Sequence, residues 1–117
     1  MIKLQIGESV FTATLVDNST ADALREMLAD GPITVKMRDY GNMEKVGSFG
    51  RNLPRNDEQI TTEAGDLILY QGNAFVIYYA PNSWNFTRIG KIGDVTQETL
   101  KSVLGSGDVT VILSLEQ

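Results

Sequence analysis

The sequence predicts a mostly-β fold, a closed or nearly closed barrel of about eight short strands with two helices. Three observations lead there. Short apolar–polar alternations recur along the 117 residues, each bounded by turn residues. Only two segments combine a helical apolar stripe with a capping signal. Two consecutive strands, Asp66–Tyr70 and residues 74–79, are apolar on both faces and need cover on each side. A barrel provides that cover and removes the edges such strands would otherwise expose.

The elements follow in order. Ile2, Leu4 and Ile6 alternate with Lys3 and Gln5, and Gly7-Glu8 makes a two-residue hairpin turn with glycine in its first position. The return strand alternates Phe11, Ala13 and Leu15 with Thr12 and Thr14. A helix is expected over residues 20–29, with Ser19 as N-cap and Asp22 three residues on. Leu24, Met27 and Leu28 form its stripe, and Gly31-Pro32 ends it. Ile33, Val35 and Met37 then face inward on a strand that turns Thr34, Lys36 and Arg38 outward.

Residues 39–57 read differently. They are rich in Gly and Asn, contain Pro54 and have no sustained period. A segment this long without structure is uncommon, so it is a functional loop or hides short strands. Gln71-Gly72-Asn73 closes the hairpin between the two apolar strands, on which Leu69 and Ile77 should be nearly inaccessible. Residues 82–85 read as a turn and 86–92 as a strand. A second helix is expected over 95–104, capped by Asp94 with Gln97 three residues on. Its stripe is Leu100, Val103 and Leu104, and Gly105 ends it. Val109, Val111, Leu113 and Leu115 mark the last strand. No linker, repeat or low-complexity tract interrupts the chain, so one domain over 1–117 is expected.

Two zeros limit the chemistry most. The chain has no Cys and no His. That removes disulfides, thiolate nucleophiles, His-based triads and imidazole or thiolate metal ligands. Ten Lys and Arg stand against 15 Asp and Glu, a net charge of −5. This argues against nucleic acid and anionic membranes as partners. No apolar run approaches the roughly 18 residues of a membrane helix, and the alternating N-terminus is unlike a signal peptide, so the chain reads as cytoplasmic. No cofactor is expected, and no metal. Asp57, Glu58, Glu63 and Asp66 lack the every-second-residue spacing of a calcium loop and read as a solvated acidic face.

Three clusters remain as candidates. Gly41, Gly47 and Gly50 invite comparison with a phosphate cradle, but their spacing fits no such motif, and tight turns explain them better. Glu44 and Lys45 could be an acid–base pair, but opposite charges hold each other ionised, which favours a solvated pair. Trp84, Phe86 and Arg88 share one side of a strand. An aromatic face beside a planar guanidinium suits a carbonyl or carboxylate. Against that, Trp84 could plug a barrel mouth while Arg88 pairs with an acid. Tyr70, Tyr78 and Tyr79 read as core or barrel-lining. The expectation is that Tyr40, Glu44, Trp84 and Arg88 border one shared cleft, since binding groups sit on irregular segments held by a rigid scaffold.

Four segments carry a resemblance: Tyr40-Gly41-Asn42-Met43-Glu44-Lys45-Val46-Gly47, Leu53-Pro54-Arg55-Asn56-Asp57, the run from Gly65 to Asn73, and the run from Trp84 to Ile92. Through them the chain resembles the small bacterial cyclophilin-like domain family. Ala64 departs from that pattern, where such sequences tend to have Pro before the Gly-Asp pair. The resemblance implies a closed eight-stranded barrel with two helices, and it brings no settled activity. True cyclophilins isomerise X–Pro bonds with an Arg, and a His and a Trp line their pocket. Here there is no His and no Phe-Met-x-Gln segment, and none of Arg38, Arg51, Arg55 or Arg88 aligns with that Arg by motif.

Three functions follow. The first is a binding domain that takes a peptide or a small acidic or carbonyl ligand in a cleft beside the 39–57 loop. The second is a diverged peptidyl-prolyl isomerase, whose reaction is a rotation with a barrier of about 20 kcal/mol. The third is an accessory domain for a flavodoxin-like redox partner, implied by relatives that look fused or linked to such domains.

Overall fold

The computed structural model describes residues 1–41, 43–93 and 95–115. Strands β1 (Ile2–Ile6) and β2 (Ser9–Leu15) form the expected hairpin, with Ile6 opposite Ser9. Helix α1 (Ser19–Ala29) starts one residue early. Its N-cap is Asn18, whose Oδ1 accepts from the Ala21 N–H at 2.8 Å. Ser19, the expected cap, is instead the first helical residue, and its hydroxyl accepts from the Asn56 side-chain amide at 2.8 Å.

Strand β3 (Ile33–Tyr40) runs two residues further than its apolar pattern, and β4 (Glu44–Ser48) pairs with it in antiparallel register. The expected 39–57 loop therefore holds a central strand. β4 contains one apolar residue, Val46, so its period cannot be read from sequence. Neighbours on both sides hold it: β3, and β7 (Ala74–Tyr78). The approach to β3 is close. A Cβ on Gly47 would lie 2.6 Å from the Lys36 carbonyl oxygen and 2.6 Å from Val35 Cγ1.

Residues 49–57 are the true irregular segment, and they form a strap pinned to the barrel. Phe49 N–H bonds to the Asn73 carbonyl at 3.0 Å and Leu53 N–H to the Gly72 carbonyl at 2.7 Å. Asn56 N–H reaches Thr87 Oγ1 at 2.8 Å, and the Phe49 and Leu53 side chains enter the core.

Strand β5 (Glu58–Thr61) was not apparent in the sequence and pairs with β8 (Ser83–Ile92). β8 begins three residues before the expected strand, because 83–86 are recruited by β5. The turn expected over 82–85 is therefore mostly strand. β6 (Asp66–Tyr70) and β7 form the expected central hairpin. Helix α2 (Gln97–Leu104) is capped by Thr96, whose Oγ1 accepts from the Thr99 N–H at 3.1 Å. The expected cap Asp94 lies outside the described residues. β9 (Val109–Leu115) completes the chain of elements.

The strand order is β2-β1-β9-β3-β4-β7-β6-β8-β5, and β2 also pairs with β8. Eight antiparallel strands thus close into a barrel, with β5 appended outside it on β8. Closure has a steric condition: a Cβ on Gly90 would sit 2.4 Å from the Thr14 carbonyl oxygen across the β8–β2 seam. α1 links Leu15 to Ile33 and α2 links Ile92 to Val109, so the helices serve opposite ends. Leu24, Leu28, Leu100 and Leu104 join Leu4, Leu67, Phe75 and Leu113 in one core, as do the inaccessible Leu69 and Ile77. A second apolar cluster lies on the outer face of β6, β7 and β8, formed by Ile68, Val76, Tyr78 and Phe86. It explains why β6 and β7 are apolar on both sides: one face fills the barrel and the other supports a cleft.

Candidate functional site

Over that second cluster opens a cleft of about 370 Å³. Register decides what lines it. Tyr40 lies opposite Glu44 and Arg38 opposite Val46 on β3 and β4, while Glu44 lies opposite Tyr78 on β7. All five face outward and border the cleft. The far wall is the first half of β8, which leaves the barrel to pair with β5 and carries Trp84 and Phe86 with it. Tyr70 and Tyr78 pack on Phe86 with ring centroids 6.1 and 5.4 Å away, forming an aromatic floor. Tyr40 and Trp84 stand above it, 64% and 60% exposed.

Glu44 is the polar group at the base, 7% exposed. Tyr78 OH donates to its Oε1 at 3.2 Å, and Asn82 Nδ2 donates to the Tyr78 oxygen at 3.2 Å. Burial raises the Glu44 pKa above the ordinary carboxyl value; the Tyr78 hydrogen bond opposes that rise and the nearby Asp39 charge adds to it. Burial likewise pushes the Tyr78 phenol up, with the Asn82 bond opposing and the Glu44 charge reinforcing.

Lys45, the next residue, points the other way, as successive strand residues must. It is fully buried, its Nζ donates to the Gly107 carbonyl, and it lies 3.2 Å from Asp39 Oδ1. Tyr79 OH donates to the same carboxylate, and burial first, then Asp39, raises its pKa. The solvated Glu44–Lys45 pair expected from the sequence is therefore corrected: both are buried, on opposite faces of β4.

Three of the four expected site residues, Tyr40, Glu44 and Trp84, come together around the cleft. Arg88 is not among its lining residues. It shares the outward side with Trp84 and Phe86, but four residues of strand carry it about 13 Å beyond Trp84. There its Nη2 lies 3.3 Å from Asp66 Oδ2, and Asp66 is 2% exposed. The strap 49–57 does not border the cleft either; within the expected 39–57 loop only residues of β3, β4 and their turn do.

Sequence reasoning missed Arg38, Tyr78 and Asn82. Arg38 had an available signal, its outward place in the β3 alternation. Among the described residues it has no ion-pair partner. The alternation makes Tyr78 core or lining, and it is indeed buried; what alternation does not convey is that its hydroxyl donates to Glu44.

The other candidates disperse. Gly41 sits in the β3–β4 turn, Gly47 within β4 and Gly50 in the strap, so they do not form one cradle. Of the four acidic residues Asp57, Glu58 and Glu63 are exposed, as expected, while Asp66 is buried; three of them have partners. Asp57 accepts from Thr87 Oγ1 at 2.6 Å and from Arg55 Nε at 2.9 Å, and the Thr87 bond is the main cause of its lowered pKa. Glu63 pairs with Lys91, which lowers its pKa, and Asp66 pairs with Arg88. Among the described residues no group of three or more acidic side chains could hold a metal ion. No helix among them is long and apolar enough to cross a membrane.

Comparison with known proteins agrees with this architecture. The family model described as the cyclophilin-like family matches residues 4–114. Among solved structures, the chain is similar to McbB in complex with tryptophan, at TM-score 0.67 and 16% identity. That match covers 99% of this chain and 45% of McbB, so the chain spans less than half of that protein. It is also similar to the hypothetical protein AF2241 from Archaeoglobus fulgidus, at TM-score 0.64 and 12% identity, covering 98% of this chain and 93% of that one. No match was found among curated protein sequences.

Proposed function

The chain belongs to the cyclophilin-like family, and from that premise we propose that its outer cleft binds a peptide or a small carbonyl- or acid-bearing ligand. One observation carries this reading: two large aromatic side chains, Tyr40 and Trp84, are left mostly exposed above a buried carboxyl group. A fold gains nothing from exposing them, whereas a ligand inserted between them buries both. The polar groups are few and convergent, as in ordinary ligand sites. Arg38 supplies the donor fork that the sequence assigned to Arg88, and Glu44 supplies an acceptor. A peptide amide offers the carbonyl for the first and the N–H for the second.

Arg38 beside an aromatic slot also supports a second reading, a diverged peptidyl-prolyl isomerase. Rotation about X–Pro needs little more than a donor that favours the twisted amide nitrogen and an apolar seat for the ring. An isomerisation assay on proline peptides separates the two readings, since a binding module leaves the rate at its uncatalysed value.

Trp84 is the chain's one tryptophan, so intrinsic fluorescence reports on the cleft itself. Capped peptides of four to eight residues are titrated while tryptophan emission and amide chemical shifts are recorded. Saturable changes at Tyr40, Glu44 and Trp84 are expected. Saturable changes confined to residues away from the cleft would overturn the reading.

A further inference from the structure

The cleft is not isolated. On the other side of Arg38 and Val46 lies a larger groove of about 680 Å³, whose polar lining includes Lys36, Ser48, Asn73 and Asp108. Arg38 and Val46 border both cavities, so the two adjoin on the outer face of β3 and β4.

Charge is unevenly placed along this path. The β9–β3 register pairs Thr110 with Lys36 and Val109 with Met37. Arg38 and Asp108 both line the groove, one charge of each sign, and they make no ion pair with each other. What remains is Glu44 at the cleft end and Lys36 at the groove end. Neither has an ion-pair partner among the described residues. Lys36 and Ser48 line the groove together, one residue beyond the paired Met37 and Gly47, and Ser48 is four residues from Glu44 along β4. Four residues of strand span about 13 Å, the reach of about four residues of an extended peptide.

We propose that cleft and groove form one track for an extended peptide that places a basic side chain at Glu44 and, about four residues away, an acidic side chain at Lys36. The inference rests on the cleft being a binding site and adds the charge pattern of its ligand. Tyr40 and Trp84 favour the same arrangement, since they border the cleft with Glu44 and aromatic rings attract a cation. Arg38, at the middle, is left to bond the peptide backbone.

The test uses capped eight-residue peptides with an identical apolar middle. Two carry Lys and Glu four positions apart, in either order. Three controls carry Lys/Lys, Glu/Glu or Gln/Gln at the same positions. Affinity is read from Trp84 emission and checked by calorimetry. One mixed-charge peptide is expected to bind about tenfold tighter than Gln/Gln, the sum of a desolvated contact at Glu44 and a weaker exposed one at Lys36. Lys36→Glu should cut that preference about threefold and move it toward Lys/Lys. Glu44→Gln should abolish the discrimination between Lys and Gln at the cleft end. If all five peptides bind alike, or a same-charge peptide binds wild type best, the charged track is overturned while the cleft remains a binding site. If no peptide alters Trp84 emission or produces heat, the charged track falls and so does the peptide form of the proposed function.

Discussion

Lys45 and Glu44 are neighbours on β4, yet they belong to two differently built regions. Inside the barrel end, Lys45 meets Asp39 and the Gly107 carbonyl, and Tyr79 adds a second bond to the same carboxylate. Outside, the buried Glu44 receives one hydroxyl, from Tyr78, and has no ion-pair partner among the described residues, while Arg38 on the neighbouring strand is exposed. A buried charge is costly unless it is paired and hydrogen-bonded. The interior region meets that condition from its own chain. The outer region meets it in part and surrounds the shortfall with exposed aromatics. The difference distinguishes polar groups that hold the fold from polar groups that wait for a partner.

The largest expected effect comes from breaking the interior region. Lys45→Ala removes the cation from Asp39, leaves the Gly107 carbonyl without its donor and opens a cavity. A loss of about 3–5 kcal/mol is expected in urea unfolding. Lys45→Met refills the volume but still leaves Asp39 and the Gly107 carbonyl without their partner, so it should recover only the cavity part of that loss. A loss below about 1 kcal/mol for Lys45→Ala would show that the pair does not hold the barrel end, and the contrast with Glu44 would collapse.

Much of the barrel was legible because burial imposes period two, and β1, β2, β3 and β9 obey it. β6 and β7 were legible for another reason: apolar residues on both faces announced two coverings, here the core and the cleft floor. β4 and β5 were not legible. Glu44, Lys45, Gly47 and Ser48 carry no alternation, and their pairing is imposed by β3 and β7. β5 exists because β8 overshoots the barrel and offers it an edge. The same overshoot decides the site. Alternation placed Trp84 and Arg88 on one side, correctly, but it cannot say that β8 is long enough to separate them. Glu44 and Lys45 failed as a pair for the converse reason: read as a loop, they were adjacent; as a strand, they face opposite ways.

Arg88 sharpens the comparison from a third position. It resembles the interior residues in function and the cleft residues only in orientation. Arg88→Ala leaves Asp66, 2% exposed, with the Glu63 N–H but without its cation. A loss of about 1–2 kcal/mol is expected, moderated because the Arg88 side chain is itself 35% exposed. Cleft ligands should bind the variant as they bind wild type. Reduced affinity with an unchanged melting temperature would return Arg88 to the site.

The smallest effect in stability is the most telling about the cleft. Burial raises the Glu44 pKa, so the folded chain holds that proton more tightly than the unfolded chain does. The stability this contributes is fully present below the unfolded carboxyl value of about 4.3 and is lost as pH rises through the raised folded value. At neutral pH the carboxylate is therefore a cost to the fold. Glu44→Gln cannot ionise and still offers an oxygen to Tyr78. Its melting temperature should equal or exceed that of wild type at pH 7, and the advantage should shrink as pH falls toward 4. Asp57 provides the opposite sign within the same molecule. The Thr87 hydrogen bond holds its pKa low, so its contribution is present above the ordinary carboxyl range and is lost on acidification. Asp57→Asn should accordingly lose stability at pH 7 and approach wild type at low pH. Melting curves of the three proteins from pH 4 to 8 compare the two carboxyls directly. If Glu44→Gln is less stable than wild type at pH 7 and gains on it as pH falls, Glu44 is a structural carboxylate like Asp57, and the outer region is built to the same rule as the interior.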